Sequence, residues 1–236
     1  MIASALSVAL APLLIAQGRR LRRNIPQLPE PDGARNGVCG MGPRLDLLVI
    51  GDSAAAGVGA RSQALGLLGQ TVAGLMTQFE VHFTLVARTG ATAGATLEHL
   101  RAKPLGPAHA VLVSLGVNDA TQARSTSAWL STMLKLDALL LAQSGSSLVI
   151  YSGFPPVAKF PALPQPLRMS VGLHARKLDR VLEDFCNRAP HRGYLSFTEF
   201  GEFKPELTAS DGFHPGEGAY AVWGAKAARR IALKFA

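Results

Sequence analysis

Residues 45–53 read Leu-Asp-Leu-Leu-Val-Ile-Gly-Asp-Ser, and this stretch decides the fold. It begins with a nearly continuous apolar run of strand length, which is typical of a strand buried on both faces. Gly51 interrupts the run, and Gly51-Asp52-Ser53 has the composition of a turn that leads from a strand into a helix. We therefore predict a buried parallel strand that ends directly before Ser53.

Further strands and helices alternate along the rest of the chain. Short apolar runs occur at residues 81–87, 110–115 and 147–151, with a weaker one at 194–197. Helical patterns cover about residues 63–79, 93–102, 126–142, 168–188 and 216–235. This alternation favours right-handed crossovers and a parallel sheet with helices on both faces. We expect a three-layer α/β/α sandwich with a parallel five-stranded sheet of flavodoxin-like order, which binds ligands beyond the carboxyl ends of its strands.

The composition indicates one globular domain preceded by an extension. Of the 236 residues, 48% are hydrophobic and 17% are charged, which excludes a disordered, collagen-like or coiled-coil protein. We divide the chain into an apolar and basic segment with a proline-rich linker, residues 1–44, and a domain, residues 45–236. The cysteines, Cys39 and Cys186, could form one bridge or remain free thiols, but they exclude a disulfide scaffold.

Residues 2–23 could contact a membrane surface. Residues 2–16 are apolar but shorter than the ~20 residues that span a bilayer, and four arginines follow within residues 19–23. Three interpretations fit: an interfacial or short anchoring helix, a helix packed on the domain, or an atypical signal segment. The positive-inside rule would keep the arginines and the domain in the cytoplasm, whereas a signal segment would direct the domain out of it.

The charge distribution does not favour a nucleic-acid partner. The net charge is +8, and residues 1–44 account for half of it, with six arginines against Glu30 and Asp32. Only 6% of the residues are aromatic, and they do not alternate with basic residues as in nucleic-acid-binding surfaces. An anionic membrane surface is a better partner for the N-terminal arginines.

Ser53 and the pair Asp211–His214 are candidates for nucleophilic chemistry. Ser53 follows a predicted strand, where its own backbone N–H is free to meet a ligand. An aspartate three residues before a histidine can fold back so that its carboxylate contacts the imidazole. Such a pair supplies the base and its orienting group to a serine, and the chain order Ser, Asp, His is one of the known arrangements.

Two further motifs follow predicted strands. In Gly116-Val117-Asn118-Asp119, the Asn118 amide could donate to a developing oxyanion or cap a helix. In Thr89-Gly90-Ala91, the glycine could let a backbone N–H approach a ligand closely, or it could only turn the chain. No dinucleotide fingerprint, Walker lysine or zinc spacing is present, so we expect neither a cofactor nor a metal.

Taken together, these motifs resemble those of the SGNH hydrolases of the GDSL esterase/lipase family, over residues 45–236. The resemblance implies that Ser53 is the nucleophile, that His214 is the general base and acid, and that Asp211 orients His214. It also implies an oxyanion hole made by the backbone N–H groups of Ser53 and Gly90 and the side chain of Asn118. The chain departs from the family at Ala54-Ala55, where relatives often have a larger residue, so the pocket wall should differ.

The expected activity is hydrolysis of small-molecule or lipid-like acyl esters through an acyl-enzyme. Short acyl groups are favoured, because residues 54–56 are alanines and no large apolar cap is evident. Alternative substrates for the same site are thioesters, lysophospholipids and O-acetylated sugars. An alternative of another class is a non-catalytic binding module at a membrane surface.

Overall fold

The structure, a computed structural model, describes residues 2–202 and 204–236. Its central sheet has six strands in the order β1-β3-β2-β4-β5-β6. The strands are β1 (Asn36–Cys39), β2 (Arg44–Gly51), β3 (Glu80–Ala87), β4 (Ala110–Ser114), β5 (Leu148–Ser152) and β6 (Arg192–Leu195). The α-helices are α1 (Ile2–Asn24), α2 (Leu67–Leu75), α3 (Ala93–Ala102), α4 (Val117–Thr121), α5 (Thr126–Ser144), α6 (Leu167–Cys186) and α7 (Glu217–Phe235).

The predicted α/β fold and strand order are confirmed. Strands β2 to β6 are parallel, and β2 lies between β3 and β4, which is the flavodoxin-like order. Along β2, Leu47 and Val49 pack with α2 and α7, whereas Leu48 and Ile50 pack with α3, α5 and α6 on the other face. The near-continuous apolar run of β2 thus results from its burial between two helical layers.

The sheet has one strand more than the five predicted. Strand β1, within the predicted linker, pairs antiparallel with β3, so that Asn36 is opposite Thr84 and Cys39 is opposite Val81. Three of its four residues are exposed, and the fourth is Gly37. The strand therefore has neither the apolar run nor the alternation by which a strand is recognised in a sequence.

The N-terminal helix α1 contacts the domain near the start of α6. The Gln17 side chain donates to the carbonyl of Gln165 at 2.8 Å and accepts from the backbone N–H of Leu167 at 3.2 Å. Leu21 packs against the core on this side of the sheet. Within residues 2–202 and 204–236, no helix combines the length and hydropathy needed to cross a membrane.

The two cysteines are free thiols in the structure. Cys39 is exposed on the edge strand β1, whereas Cys186 is buried at the end of α6. Of the two states that the sequence left open, the structure therefore has the unpaired one.

Candidate active site

Ser53, the predicted nucleophile, lies in a tight turn just after β2. The backbone N–H of Asp52 donates to the carbonyl of Ser114 at the end of β4, at 3.1 Å. A side chain at position 51 would collide with the same carbonyl, so only glycine allows this close approach of β2 to β4. The turn continues with a bond from the N–H of Val58 to the carbonyl of Ser53, at 3.0 Å. The end of the sheet thus fixes the position of Ser53.

Asp211 and His214 form a compact turn before α7. One carboxylate oxygen of Asp211 accepts from the backbone N–H groups of Phe213 and His214, at 2.9 and 3.0 Å. The other lies 2.5 Å from Nδ1 of His214, and the side chain of Asp211 is 0% exposed. Burial by itself would raise the pKa of this carboxyl, but the hydrogen bonds from His214 and Phe213 bring the pKa below its usual value.

His214 connects Asp211 to Ser53. Its Nε2 lies 3.0 Å from the Oγ of Ser53, although the two residues are 161 positions apart in the chain. The structure therefore brings three predicted site residues into one row of hydrogen bonds: carboxylate, imidazole and hydroxyl. This order of contacts lets the hydroxyl proton pass to the imidazole while the carboxylate holds the ring in one orientation.

The backbone N–H groups of Ser53 and Gly90 have no partner among the described residues. In sheet register, Ala87 at the end of β3 is opposite Gly51 at the end of β2, so Gly90 follows the strand next to that of Ser53. Gly90 is exposed, and its φ of +77° lies in the left-handed region that favours glycine. It is not among the residues that line the adjoining cavity.

Asn118 is held by two acceptors. Its side-chain Nδ2 donates to the carbonyl of Ala91 at 3.0 Å and to the carboxyl of Asp52 at 3.3 Å. Because an amide has two N–H groups, both are already engaged. Asn118 can therefore donate to a ligand only by exchanging one of these bonds, and the longer bond to Asp52 is the weaker one.

The carboxylates of Asp52 and Asp119 accept hydrogen bonds from backbone groups near the candidate site. Asp52 also accepts from the backbone N–H of Ala54 at 3.0 Å, and its burial raises the pKa to about 7. Asp119 accepts from the backbone N–H of Ala93, at the start of α3, at 3.0 Å. These contacts tie the Ser53 turn, α4 and the start of α3 together.

A family model described as GDSL-like lipase/acylhydrolase matches residues 49–222, which include all of these contacts. The chain belongs to the GDSL-like lipase/acylhydrolase family. Membership indicates a hydrolase, and it agrees with the resemblance that the sequence motifs carry. No curated protein matches the sequence.

Solved structures of related lipolytic proteins share the fold of this family member. A G-D-S-L family lipolytic protein from Veillonella parvula has a TM-score of 0.60 at 17% identity, over 78% of this chain and 96% of that one. The lipase Lip_vut3 from a goat rumen metagenome has a TM-score of 0.60 at 16% identity, over 79% of this chain and 97% of that one. The psychrotrophic esterase EstA from Pseudoalteromonas sp. has a TM-score of 0.57 at 16% identity, over 80% of this chain and 97% of that one. At these identities the likeness concerns the fold alone.

In this family member, a cavity of about 450 Å³ begins at Ser53 and His214. Six aromatic side chains line it: Phe154, Phe160, Phe197, Phe200, Phe213 and Trp223. The first two belong to the proline-rich loop after β5, and the next two follow β6. The proline-rich loop is therefore part of the pocket wall. The aromatic lining could not be predicted from the sequence, because residues from four separate segments meet only in the fold.

Proposed function

We propose that this family member is a serine esterase that hydrolyses carboxylic acyl esters through an acyl-enzyme intermediate. One observation carries the proposal: the row formed by Asp211, His214 and Ser53 ends in a hydroxyl that lines a largely apolar cavity. A serine becomes a nucleophile when an adjacent imidazole removes its proton and a third group orients that imidazole. Each of these contacts is within hydrogen-bonding distance.

In the first half of the reaction, Ser53 is acylated. Its Oγ attacks the ester carbonyl carbon while Nε2 of His214 takes the hydroxyl proton, and a tetrahedral oxyanion forms. When the carbon–oxygen bond to the leaving group breaks, His214 returns this proton to the departing alcohol. Asp211 accepts from Nδ1–H throughout, which keeps Nε2 directed at Ser53 and stabilises the imidazolium.

The oxyanion is stabilised by donors already in place. The unpartnered N–H groups of Ser53 and Gly90 are the first two, since they need to give up no other bond in the protein. Asn118 becomes the third when its bond to Asp52 is exchanged for one to the oxyanion. In the second half of the reaction, His214 deprotonates a water that attacks the acyl carbon, and Ser53 recovers its proton as the acid departs.

The cavity supports an acyl chain of several carbons. Its volume is larger than an acetyl group requires, and its aromatic lining suits an apolar chain. The cavity therefore favours longer acyl chains than the small residues 54–56 suggest by themselves. Each buried methylene contributes about 0.8 kcal/mol, which is roughly a fourfold gain in kcat/KM. A lysophospholipid is the second candidate substrate. It carries an acyl chain of this kind, and the N-terminal arginines would hold the enzyme at the membrane surface, where its headgroup lies.

The test is a series of p-nitrophenyl esters of increasing chain length. Wild type should show kcat/KM rising from acetate until the chain fills the cavity. Ser53→Ala should be inactive, whereas Ser131→Ala, which changes an exposed serine of α5, should behave as wild type. Equal hydrolysis by wild type and Ser53→Ala would contradict the proposal.

Covalent labelling separates the esterase from a binding module. EstA, one of the matched structures, was solved with monoethylphosphonate as an inhibitor. An activated phosphonate should attach to Ser53 in wild type and in Ser131→Ala, and it should leave Ser53→Ala unlabelled. A wild-type protein that does not react would favour the non-catalytic alternative.

A further inference from the structure

Residues 30–39, which we call the N-terminal strap, bind the loop that carries Gly90. We infer that Glu30 in this strap is a positioning residue: by holding Thr89, it fixes the Gly90 N–H in the orientation that receives the oxyanion. The inference rests on the proposed function and adds to it a part of the chain that lies outside residues 49–222.

Glu30 holds Thr89 by two hydrogen bonds. Its Oε1 accepts from the backbone N–H of Thr89 at 3.0 Å and from the Thr89 hydroxyl at 2.7 Å. The first bond holds the peptide plane that precedes Thr89, and the second holds the Thr89 side chain. The N–H of Gly90 lies in the following peptide plane, which is one rotation about ψ of Thr89 away, so anchoring Thr89 at both points leaves this rotation as the main remaining freedom of the Gly90 N–H.

Arg35 keeps the Glu30 carboxylate in place. Its guanidinium donates to Oε2 of Glu30 at 2.7 Å and to the carbonyl of Ala87, the last residue of β3, at 2.6 Å. The carbonyl of Arg35 accepts from the N–H of Leu85 at 2.7 Å, and β1 then continues along β3. The sheet therefore fixes Arg35, Arg35 fixes Glu30, and Glu30 fixes the loop.

The strap also contacts the turn that carries Ser53. The backbone N–H of Gln63 donates to the carbonyl of Asp32 at 2.8 Å, and its side-chain amide donates to the carbonyl of Ala56 at 2.8 Å. The same amide lies 3.3 Å from the carbonyl of Pro31. One short segment is thus bonded to both loops that supply backbone donors.

Packing restrains the loop that carries Gly90 only weakly, so hydrogen bonds from outside the loop matter for its position. Gly90 is exposed and no other atom lies near the position of a Cβ on it, so packing does not restrain it. Glycine also samples more backbone conformations than any other residue. On the side of α3, Asn118 holds the carbonyl of Ala91. On the side of β3, the N–H of Arg88 donates to the carbonyl of Gly51 at 3.2 Å, and the N–H of Ala91 closes the turn on the carbonyl of Arg88 at 3.1 Å. Between these bonds, Thr89 is held by the hydrogen bonds of Glu30.

The ionisation of Glu30 suits this role. Burial would raise the pKa of its carboxyl, but the hydrogen bonds from Thr89 and the Arg35 guanidinium lower the pKa below its usual value. Glu30 is therefore an anion at neutral pH and accepts from both donors of Thr89. Its side chain is 31% exposed and that of Arg35 is 36% exposed, and ion pairs with this exposure add little to overall stability. An effect on catalysis is consequently separable from an effect on folding.

The first experiment measures kcat and KM separately for Glu30→Ala and Glu30→Gln on the ester series. Glu30→Ala should lower kcat by about 10- to 100-fold with KM little changed, less than the ~10²–10³ of a deleted donor, because the Gly90 N–H is displaced and not removed. Glu30→Gln keeps an acceptor oxygen for Thr89 and should recover most of this loss. The control Glu98→Ala removes a carboxylate from an exposed ion pair with Arg101 on α3 and should match wild type.

Two results would overturn the inference. One is a kcat of Glu30→Ala equal to that of the Glu98→Ala control. The other is an equal loss in Glu30→Ala and Glu30→Gln, because the acceptor for Thr89 would then not matter. If Glu30→Ala does not fold, Thr89→Val serves instead: it removes one of the two bonds to Glu30 and should lower kcat in part, and an unchanged kcat would overturn the inference.

Hydrogen exchange tests the support without using hydrolysis. The amide of Thr89 should exchange faster in Glu30→Ala than in wild type or Glu98→Ala, and unchanged exchange would refute the contact in solution. If wild type and Ser53→Ala hydrolyse esters equally, the proposed function fails on that result alone. The exchange measurement then still decides whether Glu30 holds the loop.

Discussion

At the scale of the residue, Asp211 shows how one carboxylate serves two purposes. One of its oxygens closes the turn by accepting two backbone N–H groups, and the other faces His214. Replacing only the second oxygen by an N–H₂ group therefore tests the role of the carboxylate while leaving the turn intact.

We expect Asp211→Asn to lower kcat by on the order of 10³–10⁴-fold, because the amide N–H₂ cannot accept from Nδ1–H and favours the wrong tautomer of His214. Steady-state kinetics on a p-nitrophenyl ester measures the loss, and circular dichroism checks the fold. Asp184→Asn, on the exposed face of α6, is the matched control. A variant with wild-type kcat would remove Asp211 from the mechanism.

The raised pKa of Asp52 predicts that the protein loses stability as the pH rises. Burial raises its pKa from 3.8 to about 7, so between these values the folded protein binds a proton that the unfolded chain releases. Asp52 therefore contributes a decrease in the free energy of unfolding from about pH 4 to pH 7, and no further change above. Denaturant titrations at pH 5 and pH 8 should show a smaller decrease in Asp52→Asn than in wild type. An equal decrease would contradict this assignment.

The meeting of Ser53, Asp211 and His214 could be predicted because each belongs to a short motif, the first at the end of β2 and the other two directly before α7. Ser53, Asp211 and His214 are in contact where such motifs converge. The engagement of Asn118 with Asp52 could not be predicted, because it depends on the distance between two loops. Nor could the role of Glu30, since an acidic residue among prolines has the composition of a solvated linker.

At the scale of the element, Asp137 joins α5 to two strands. Its carboxylate accepts from Arg192 of β6 at 2.7 Å and from the hydroxyl of Tyr151 of β5 at 2.8 Å. His191 lies 3.2 Å away. Burial would raise the pKa of Asp137, but these hydrogen bonds and the charge of Arg192 lower it. The helix is thereby held over the edge of the sheet that carries β6.

Removing this carboxylate should destabilise the fold. Asp137→Asn leaves the half-buried Arg192, whose side chain is 12% exposed, without its counter-charge, and the cost should approach the roughly 3–5 kcal/mol of breaking a buried ion pair. Because the pKa is lowered in the folded state, the contribution of the charge is complete above the ordinary value of 3.8 and is lost as the pH falls below it. Denaturant titrations at pH 7 and pH 3 should give a difference from wild type that is smaller at pH 3 than at pH 7. A difference that does not depend on pH would contradict the role of the charge.

The five parallel strands could be predicted because burial between helices requires apolar runs, as in β2. Two elements could not: β1 and α4 have four and five residues, too few for a period to appear. Short elements of this kind are defined by their neighbours: β3 pairs with β1, and the start of α3 donates a hydrogen bond to Asp119 of α4.

At the scale of the whole molecule, α1 is separable from the strap. Among the described residues its contacts with the domain centre on Gln17 and Leu21, whereas the strap begins at Glu30. Three of the arginines that follow the apolar run, Arg19, Arg20 and Arg23, are exposed. The helix can therefore be removed without disturbing Glu30.

Deleting residues 1–24 should leave kcat on soluble esters unchanged and reduce binding to vesicles that contain anionic lipid. The reason is that the arginines supply the attraction to the surface, which salt screens. Co-sedimentation with vesicles at low and high salt measures this. If full-length and shortened chains bind alike at both salt concentrations, residues 2–23 are not a membrane contact.

Strand β1 has a further consequence for the behaviour of the protein in solution. It pairs with residues 81–84 of β3, which would otherwise offer unpaired backbone groups along this edge of the sheet. A chain shortened past residue 39 would present that edge to other copies of itself, and intermolecular strand pairing is a route to fibrils. The four residues that were hardest to recognise in the sequence thus cover part of an edge that could otherwise pair with another chain.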